Sequence, residues 1–185
     1  MTLVILDRDG VINEDSADYI RSVEQWLPIP GSIEAIARLS KAGFQVVIAT
    51  NQSGLGRGYF EVKDLEAMHD KLALLVAKLG GSIAGIYFCP HRPEDRCRCR
   101  KPAPGLMDHI IADFNLKDLD GIAVVGDSLR DLEAGLARKG KPILVRTGKG
   151  LASEAQLRQL PPSPLATAPV FDNLAAVANY LTEHL

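Results

Sequence analysis

Short apolar runs recur along the chain, and the segments between them carry apolar residues at helical spacing. Leu3 to Leu6, Gln45 to Ala49, Ser82 to Phe88, Ile122 to Val125 and Pro142 to Val145 each read as a buried strand. A further short strand is expected at Val170-Phe171. Ile33, Ile36, Ala37 and Leu39 mark a first helix, capped by Ser32 and ended by Gly43. Leu65, Met68, Leu72, Leu75 and Leu79 mark a second from about Val62 to Leu79. Others are expected over Gly105 to Phe114, after Asp127, near Ser153 to Leu160, and from Asp172 or Asn173 to about Leu181. His69 falls on the second helix and reads as a partly exposed helix residue rather than a ligand.

Alternating strands and helices call for an α/β fold with a mostly parallel sheet covered on both faces. That is a Rossmann-like three-layer sandwich. Right-handed crossovers place every strand end on one edge. The residues that follow the apolar runs therefore meet there: Asp7 and Asp9, then Thr50, the 89–101 loop, and Asp127. No repeat appears, and no insertion is large enough for a cap or second domain, so 1–185 reads as one domain. The stretch from Glu14 to Pro30 has no period and reads as a long loop above the first strand, with Trp26 as its packing anchor.

Composition narrows the partners. A formal net charge of −2 gives no reason to expect nucleic acid or membrane. No apolar run spans a bilayer and no secretory signal is visible, so a cytoplasmic location is expected, and a monomer. The three cysteines crowd into one loop, which argues against a disulfide framework.

At the shared edge, three carboxylates (Asp7, Asp9, Asp127) meet a hydroxyl (Thr50) and a cation (Lys101). Oxygen donors of this kind suit Mg²⁺, which takes one or two carboxylates plus substrate phosphate. The set suits phosphoryl transfer, where positioning and charge neutralisation do most of the work. One carboxylate can attack phosphorus and a second can move the proton.

These residues carry a resemblance. Asp7-Arg8-Asp9-Gly10-Val11, Thr50-Asn51, Lys101-Pro102 and Gly126-Asp127-Ser128-Leu129-Arg130-Asp131 resemble, in order, the four motifs of the haloacid dehalogenase superfamily of phosphatases. The resemblance implies Asp7 as nucleophile and Asp9 as general acid and base. It implies Thr50 and Lys101 as holders of the phosphoryl group. Asp7, the Asp9 carbonyl and Asp127 would bind Mg²⁺. Asp131 reads either as a supporting carboxylate or as a helix-start residue favoured by the dipole.

Cys89, His91, Cys97 and Cys99 supply three thiolates and an imidazole, a set suited to a closed tetrahedral structural Zn²⁺ site. Its expected task is to hold the loop so that Arg100 and Lys101 point into the site. Such a loop on this scaffold resembles two subfamilies, the D-glycero-D-manno-heptose 1,7-bisphosphate phosphatases and the histidinol-phosphate phosphatases. Thr50 to Gly58 is similar to the first. In the second, an acidic residue is more usual where Ser53 stands, as a cationic substrate would require.

The first resemblance implies removal of the C7 phosphate through an aspartyl phosphate, feeding nucleotide-activated heptose for the lipopolysaccharide core. It implies a phosphorylated sugar held by Asp15, Ser16, Ala17, Asp18, Asn51, Gln52, Ser53, Arg100 and Ser128. Arg57 and Arg100 are available for the remote phosphate, although Arg57 reads equally as a solvated loop charge. The alternatives are histidinol-phosphate phosphatase, a nucleic-acid end phosphatase, which the near-neutral charge disfavours, and a non-catalytic metal-stabilised binding module.

Overall fold

Each strand of the sheet splits its apolar residues between two opposite faces, and this splits the core into layers. The computed structural model describes residues 2–183. Strands β1 (Thr2–Leu6), β2 (Phe44–Asn51), β3 (Gly85–Cys89), β4 (Ala123–Gly126), β5 (Lys141–Val145) and β6 (Val170–Phe171) form one six-stranded sheet in the order β3-β2-β1-β4-β5-β6. Every pairing is parallel. Val4 and Leu6 of β1 face one layer, and Leu3 and Ile5 face the other, as the two-residue period requires.

The first layer holds helices α1 (Ser32–Lys41), α3 (Val62–Lys78) and α7 (Leu174–Glu183). Ile36, Leu39, Met68, Leu72 and Val177 pack there beneath Val46 and Ile48. The second layer holds α4 (Gly105–Asp113) and α5 (Leu129–Leu136), through Leu106, Ile110 and Ala134 against Val47 and Val124. A smaller cluster joins Leu132 and Leu144 to Leu157 of α6 (Gly150–Leu157). Among the described residues no cap domain interrupts these crossovers.

Several boundaries differ from the sequence expectation, each for a local reason. β2 runs on through Thr50 and Asn51, because both pair with Phe88 and Cys89 of β3 beyond the apolar run. β3 starts at Gly85 rather than Ser82, whose amide is taken by the Ser40 hydroxyl of α1 at 3.0 Å. Ser32 does not cap α1. Its hydroxyl donates to the Ile12 carbonyl at 2.6 Å, and Gly31 stands at the cap. After Asn51, residues Ser53–Gly56 close into a single short helix, α2. Helix α6 begins at Gly150, and Ser153 inside it donates to the Asp127 carbonyl at 2.8 Å.

The 14–30 excursion is pinned as expected. Trp26 is fully buried in the first layer, and Lys71 of α3 donates to the carbonyls of Val23 and Trp26 at 2.9 and 2.8 Å. This order reverses direction between β1 and β4. Ligands in open α/β sheets sit at such a point, outside the carboxyl ends of the strands. Asp7 leaves the end of β1 there and Asp127 the end of β4, and the Asp7 amide donates to Val125 at 2.9 Å.

Candidate active site

A cavity of about 220 Å³ opens at that reversal. Asp7, Asp9, Thr50, Lys101 and Asp127 all line it, so every residue expected to do chemistry or hold Mg²⁺ reaches one space. Asp15, Ser16, Ala17, Asn51, Gln52, Ser53 and Arg100 line it as well. Two of the expected substrate contacts do not. Asp18 is exposed outside the cavity, and its carbonyl accepts from Arg21 at 2.8 Å. Ser128 is buried, and its hydroxyl donates to Asp131 Oδ2 at 2.7 Å.

Lys101 is the hub. Its ammonium, 2% exposed, lies 2.9 Å from Asp7 Oδ1, 2.7 Å from Asp131 Oδ1 and 2.7 Å from the Ala49 carbonyl. All three of its N–H groups are therefore used. Burial alone would push its pKa down, but the two aspartates outweigh that and raise it. Asp131 shows the reverse balance: burial pushes it up, but Lys101 and the Ser128 hydroxyl hold it below its ordinary value. Both readings of Asp131 meet here. It accepts from the Ser128 amide at 3.1 Å at the start of α5, and it pairs with the hub.

The remaining carboxylates are less well neutralised. Burial and the charges of Asp131 and Asp127 outweigh Lys101 and push Asp7 up to about 8. Burial and Asp131 likewise push Asp127 up to about 6. Ligand oxygens of Asp7, Asp127 and Asp131 lie within 4.8 Å of one another. Three oxygen donors this close, with too little positive charge between them, fit a hard divalent cation such as Mg²⁺.

The backbone leaves Asp127 little room. A Cβ on Gly10 would fall 2.1 Å from its Oδ2, and one on Gly148 would fall 2.2 Å from the same atom. Both glycines have positive φ, 86° and 58°, a conformation other residues rarely adopt.

Asp9 points away from that trio. Its Oδ1 accepts from Arg8 Nη2 at 2.7 Å, Arg8 Nε at 3.1 Å and Asn13 Nδ2 at 2.9 Å. Its Oδ2 accepts from Gln52 Nε2 at 2.7 Å. Burial raises its pKa, but Arg8 and the amide donors outweigh that and lower it. Arg8 itself is fully buried, and His69 Nε2 stands 3.4 Å from its Nη1. Burial and Arg8 push His69 down to about 4, so its ring is neutral beside the guanidinium. Gln52 also donates to Thr50 Oγ1 at 2.9 Å, which leaves the Thr50 O–H to point elsewhere.

The cysteine loop meets this site through Asn51. Asn51 Oδ1 accepts from the Lys101 amide at 3.0 Å, and its Nδ2 donates to the Lys101 carbonyl at 3.1 Å. Asn51→Ala is expected to keep its zinc and lower kcat/KM by roughly 10- to 100-fold, the worth of two backbone hydrogen bonds at a buried site. Steady-state phosphate release with zinc analysis checks this. Unchanged kcat/KM would remove Asn51 as the positioner of Lys101.

The four expected zinc ligands come together. Cys89 Sγ lies 3.1 Å from Cys99 Sγ and 3.6 Å from Cys97 Sγ, and the last two are 3.6 Å apart. His91 Nδ1 stands 3.2 Å from Cys99 Sγ and 3.6 Å from Cys89 Sγ. Ligands around tetrahedral zinc with arms of roughly 2.3 Å sit about 3.8 Å apart, so these donors already trace such a figure. Burial and neighbouring sulfurs raise Cys89, and burial with Cys97 nearby raises Cys99. Three thiols this close need a cation before all can ionise, and Zn²⁺ fits.

Family models match twice. The model for haloacid dehalogenase-like hydrolases covers residues 1–137, and a HAD-hydrolase-like model covers 98–177. The chain belongs to the haloacid dehalogenase-like hydrolases. A D-glycero-beta-D-manno-heptose-1,7-bisphosphate 7-phosphatase of Pseudomonas aeruginosa is 53% identical over 98% of both chains. Another from Neisseria meningitidis serogroup B is 49% identical over 99% of this chain and 96% of that one. The crystal structure of D,D-heptose 1,7-bisphosphate phosphatase from B. bronchiseptica, complexed with magnesium and phosphate, superposes with a TM-score of 0.94. It is 46% identical and covers all of both chains.

Within this haloacid dehalogenase-like hydrolase, sequence reasoning missed several cavity residues. Tyr19, Ile20, Arg130 and Lys149 line the cavity, and Arg8 clamps Asp9 from behind. Arg57 lies outside and reaches Glu94 at 3.6 Å, which supports its reading as a surface loop charge. Tyr19 directly follows the expected 15–18 loop, and Arg130 follows Asp127 by three positions. Proximity to the motifs was the available signal. No helix among the described residues is long and apolar enough to cross a membrane.

Proposed function

We propose that this chain is a Mg²⁺-dependent phosphatase that removes the C7 phosphate of D-glycero-beta-D-manno-heptose 1,7-bisphosphate. The carrying observation is the Asp7–Lys101–Asp131–Asp127 cluster at the β1/β4 reversal, in a chain about half identical to phosphatases of that name over nearly its whole length. The step feeds nucleotide-activated heptose for the lipopolysaccharide core. We read the protein as a single-domain cytoplasmic monomer.

In this reading Asp7 attacks phosphorus, and the bond from phosphorus to the sugar oxygen breaks. Asp9 gives its proton to that oxygen, and an aspartyl phosphate forms on Asp7. Asp9 then takes a proton from water, which attacks the same phosphorus and frees Asp7 and inorganic phosphate. Lys101 keeps Asp7 in line through its 2.9 Å contact. The Thr50 hydroxyl, accepting from Gln52, has its own proton free for a phosphoryl oxygen. Asp7, Asp127 and the Asp9 carbonyl would hold Mg²⁺, with Asp131 beside them, and the ion when bound supplies charge neutralisation for the phosphoryl oxygens. Arg8 keeps Asp9 ionised in the free site, so the acid step needs Asp9 to gain a proton as the anionic substrate arrives.

Ser53 is buried at the cavity and brings no charge for an ammonium group, which weighs against histidinol phosphate. The test is kcat/KM on both anomers of the heptose bisphosphate and on histidinol phosphate, with Mg²⁺. The β anomer is expected to exceed histidinol phosphate by 100-fold or more, roughly the value of two charge-assisted hydrogen bonds to a second phosphate. Comparable values would overturn the substrate assignment.

A further inference from the structure

The cations around the cavity are not equally engaged. Lys101 is consumed by Asp7 and Asp131, and Lys149 pairs with Asp15 at 3.1 Å. Arg100 makes one long bond, to the His91 carbonyl at 3.4 Å, and touches no carboxylate. Arg130 has no hydrogen bond or ion pair among the described residues, although its charge reaches Asp131. Both guanidiniums are half-buried and line the cavity.

Their juxtaposition is built into the fold. Arg100 precedes Lys101 in the zinc loop, and Arg130 precedes Asp131 in α5. The buried 2.7 Å Lys101–Asp131 pair therefore staples the two segments together and leaves the preceding arginines on one rim. Both line the same cavity beside that pair. Two guanidiniums without carboxylates, facing one space, are relieved by an anion with several acceptor oxygens.

We propose that Arg130 joins Arg100 in a subsite for the phosphate that remains on the product, so that Arg130 selects bisphosphorylated over monophosphorylated sugars. The inference rests on the sugar-bisphosphate reading above. Lys101 lies deep, where the transferring group goes, and the two arginines sit nearer solvent. A substrate with phosphates at both ends of an extended sugar would bridge them. The subsite makes no use of Arg57, which is held by Glu94 outside the cavity.

The test compares wild type with Arg130→Gln and Arg130→Lys on heptose 1,7-bisphosphate and on heptose 7-phosphate. Arg130→Gln is expected to lower kcat/KM on the bisphosphate by about 10- to 100-fold and to change the monophosphate less than about threefold. Arg130→Lys should fall between, since an ammonium keeps the charge but loses the fork. Equal losses on both substrates, or none on the bisphosphate, would overturn the role of Arg130. Wild type that turns over neither sugar, or that shows no preference for the bisphosphate, would overturn the substrate reading itself and the subsite with it. Unaltered melting and zinc content of the variants keep a folding defect apart from these outcomes.

Discussion

Asp7→Asn is expected to lower phosphate release by about 10⁴-fold or more, the scale seen when an attacking side chain is lost from a working site. The carboxylate is the only group at the end of β1 that is both held by Lys101 and open to the cavity. An amide there keeps the shape and loses the nucleophile. Wild-type turnover in the variant would end the assignment of Asp7.

The same substitution is expected to make the metal-free protein less sensitive to pH. Burial, Asp131 and Asp127 raise Asp7 from 3.8 to about 8 in the folded chain. A folded carboxyl that titrates above its unfolded value favours the folded state below the unfolded pKa, and the advantage is lost as pH rises through the folded one. Metal-free wild type should therefore lose melting temperature between about pH 4 and pH 8. Asp127, raised to about 6, adds to the same loss. Asp7→Asn should flatten the curve, and Mg²⁺ added to wild type should recover most of the loss. Melting curves across pH, in buffer depleted of Mg²⁺ without a chelator, read this directly. Parallel curves for the two proteins would mean that Asp7 is not the strained charge. A site that is least comfortable when empty is arranged to bind a cation, and the local stability it forgoes is the cost of that arrangement.

The layered fold was legible because the sheet is buried on both faces. Apolar runs such as Leu3 to Leu6 have no other use, and those of β1, β2 and β4 end in residues that reach the cavity. Asp7, Thr50 and Asp127 were legible for the same reason, since a strand end fixes where a side chain goes, whereas Lys101 was placed only through the cysteine loop that carries it. What escaped depends on side chains folding back. Ser128 was expected at the substrate, but in the extended conformation at the head of α5 its hydroxyl bonds to Asp131. Asp18 was expected at the substrate with Asp15, but the chain turns at Tyr19, which has a φ of 66° and lines the cavity instead. Arg57 and Arg130 could not be ranked from sequence. One pairs with Glu94 from the zinc loop and the other makes no ion pair among the described residues, and that difference exists only in three dimensions. The Arg8–Asp9 clamp was likewise invisible, because an arginine between two aspartates reads as a surface charge until its complete burial is seen.

Removing Cys99 from the candidate zinc cluster, as Cys99→Ala, is expected to abolish zinc binding and lower kcat/KM by at least about 100-fold, while the sheet persists. The 90–104 segment has little else to order it: among its residues only Lys101 is buried. Its backbone is tied at few points, by Gly56 to Pro90 at 3.0 Å, Gly105 to Arg98 at 2.9 Å and the two Asn51 bonds to Lys101. Structural zinc contributes on the order of 10 kcal/mol in small zinc-dependent domains, far more than these ties supply. The apolar cluster on Val4, Leu6, Val46 and Ile48 takes no residue from the loop, although the opposite one takes in Cys89 and packs against Cys97 and Cys99. Loss of metal should therefore free the loop before it unfolds the domain. Hydrogen exchange should rise across 90–104 and stay slow in Val4 to Leu6. Because Lys101 and Arg100 both ride on that loop, activity should fall through the phosphoryl site and the rim together. Activity on the monophosphate should therefore drop as well as activity on the bisphosphate, unlike the selective loss expected of Arg130→Gln. Wild-type protein purified without chelator and free of zinc, or Cys99→Ala with full activity, would show that the loop is held by its backbone ties alone.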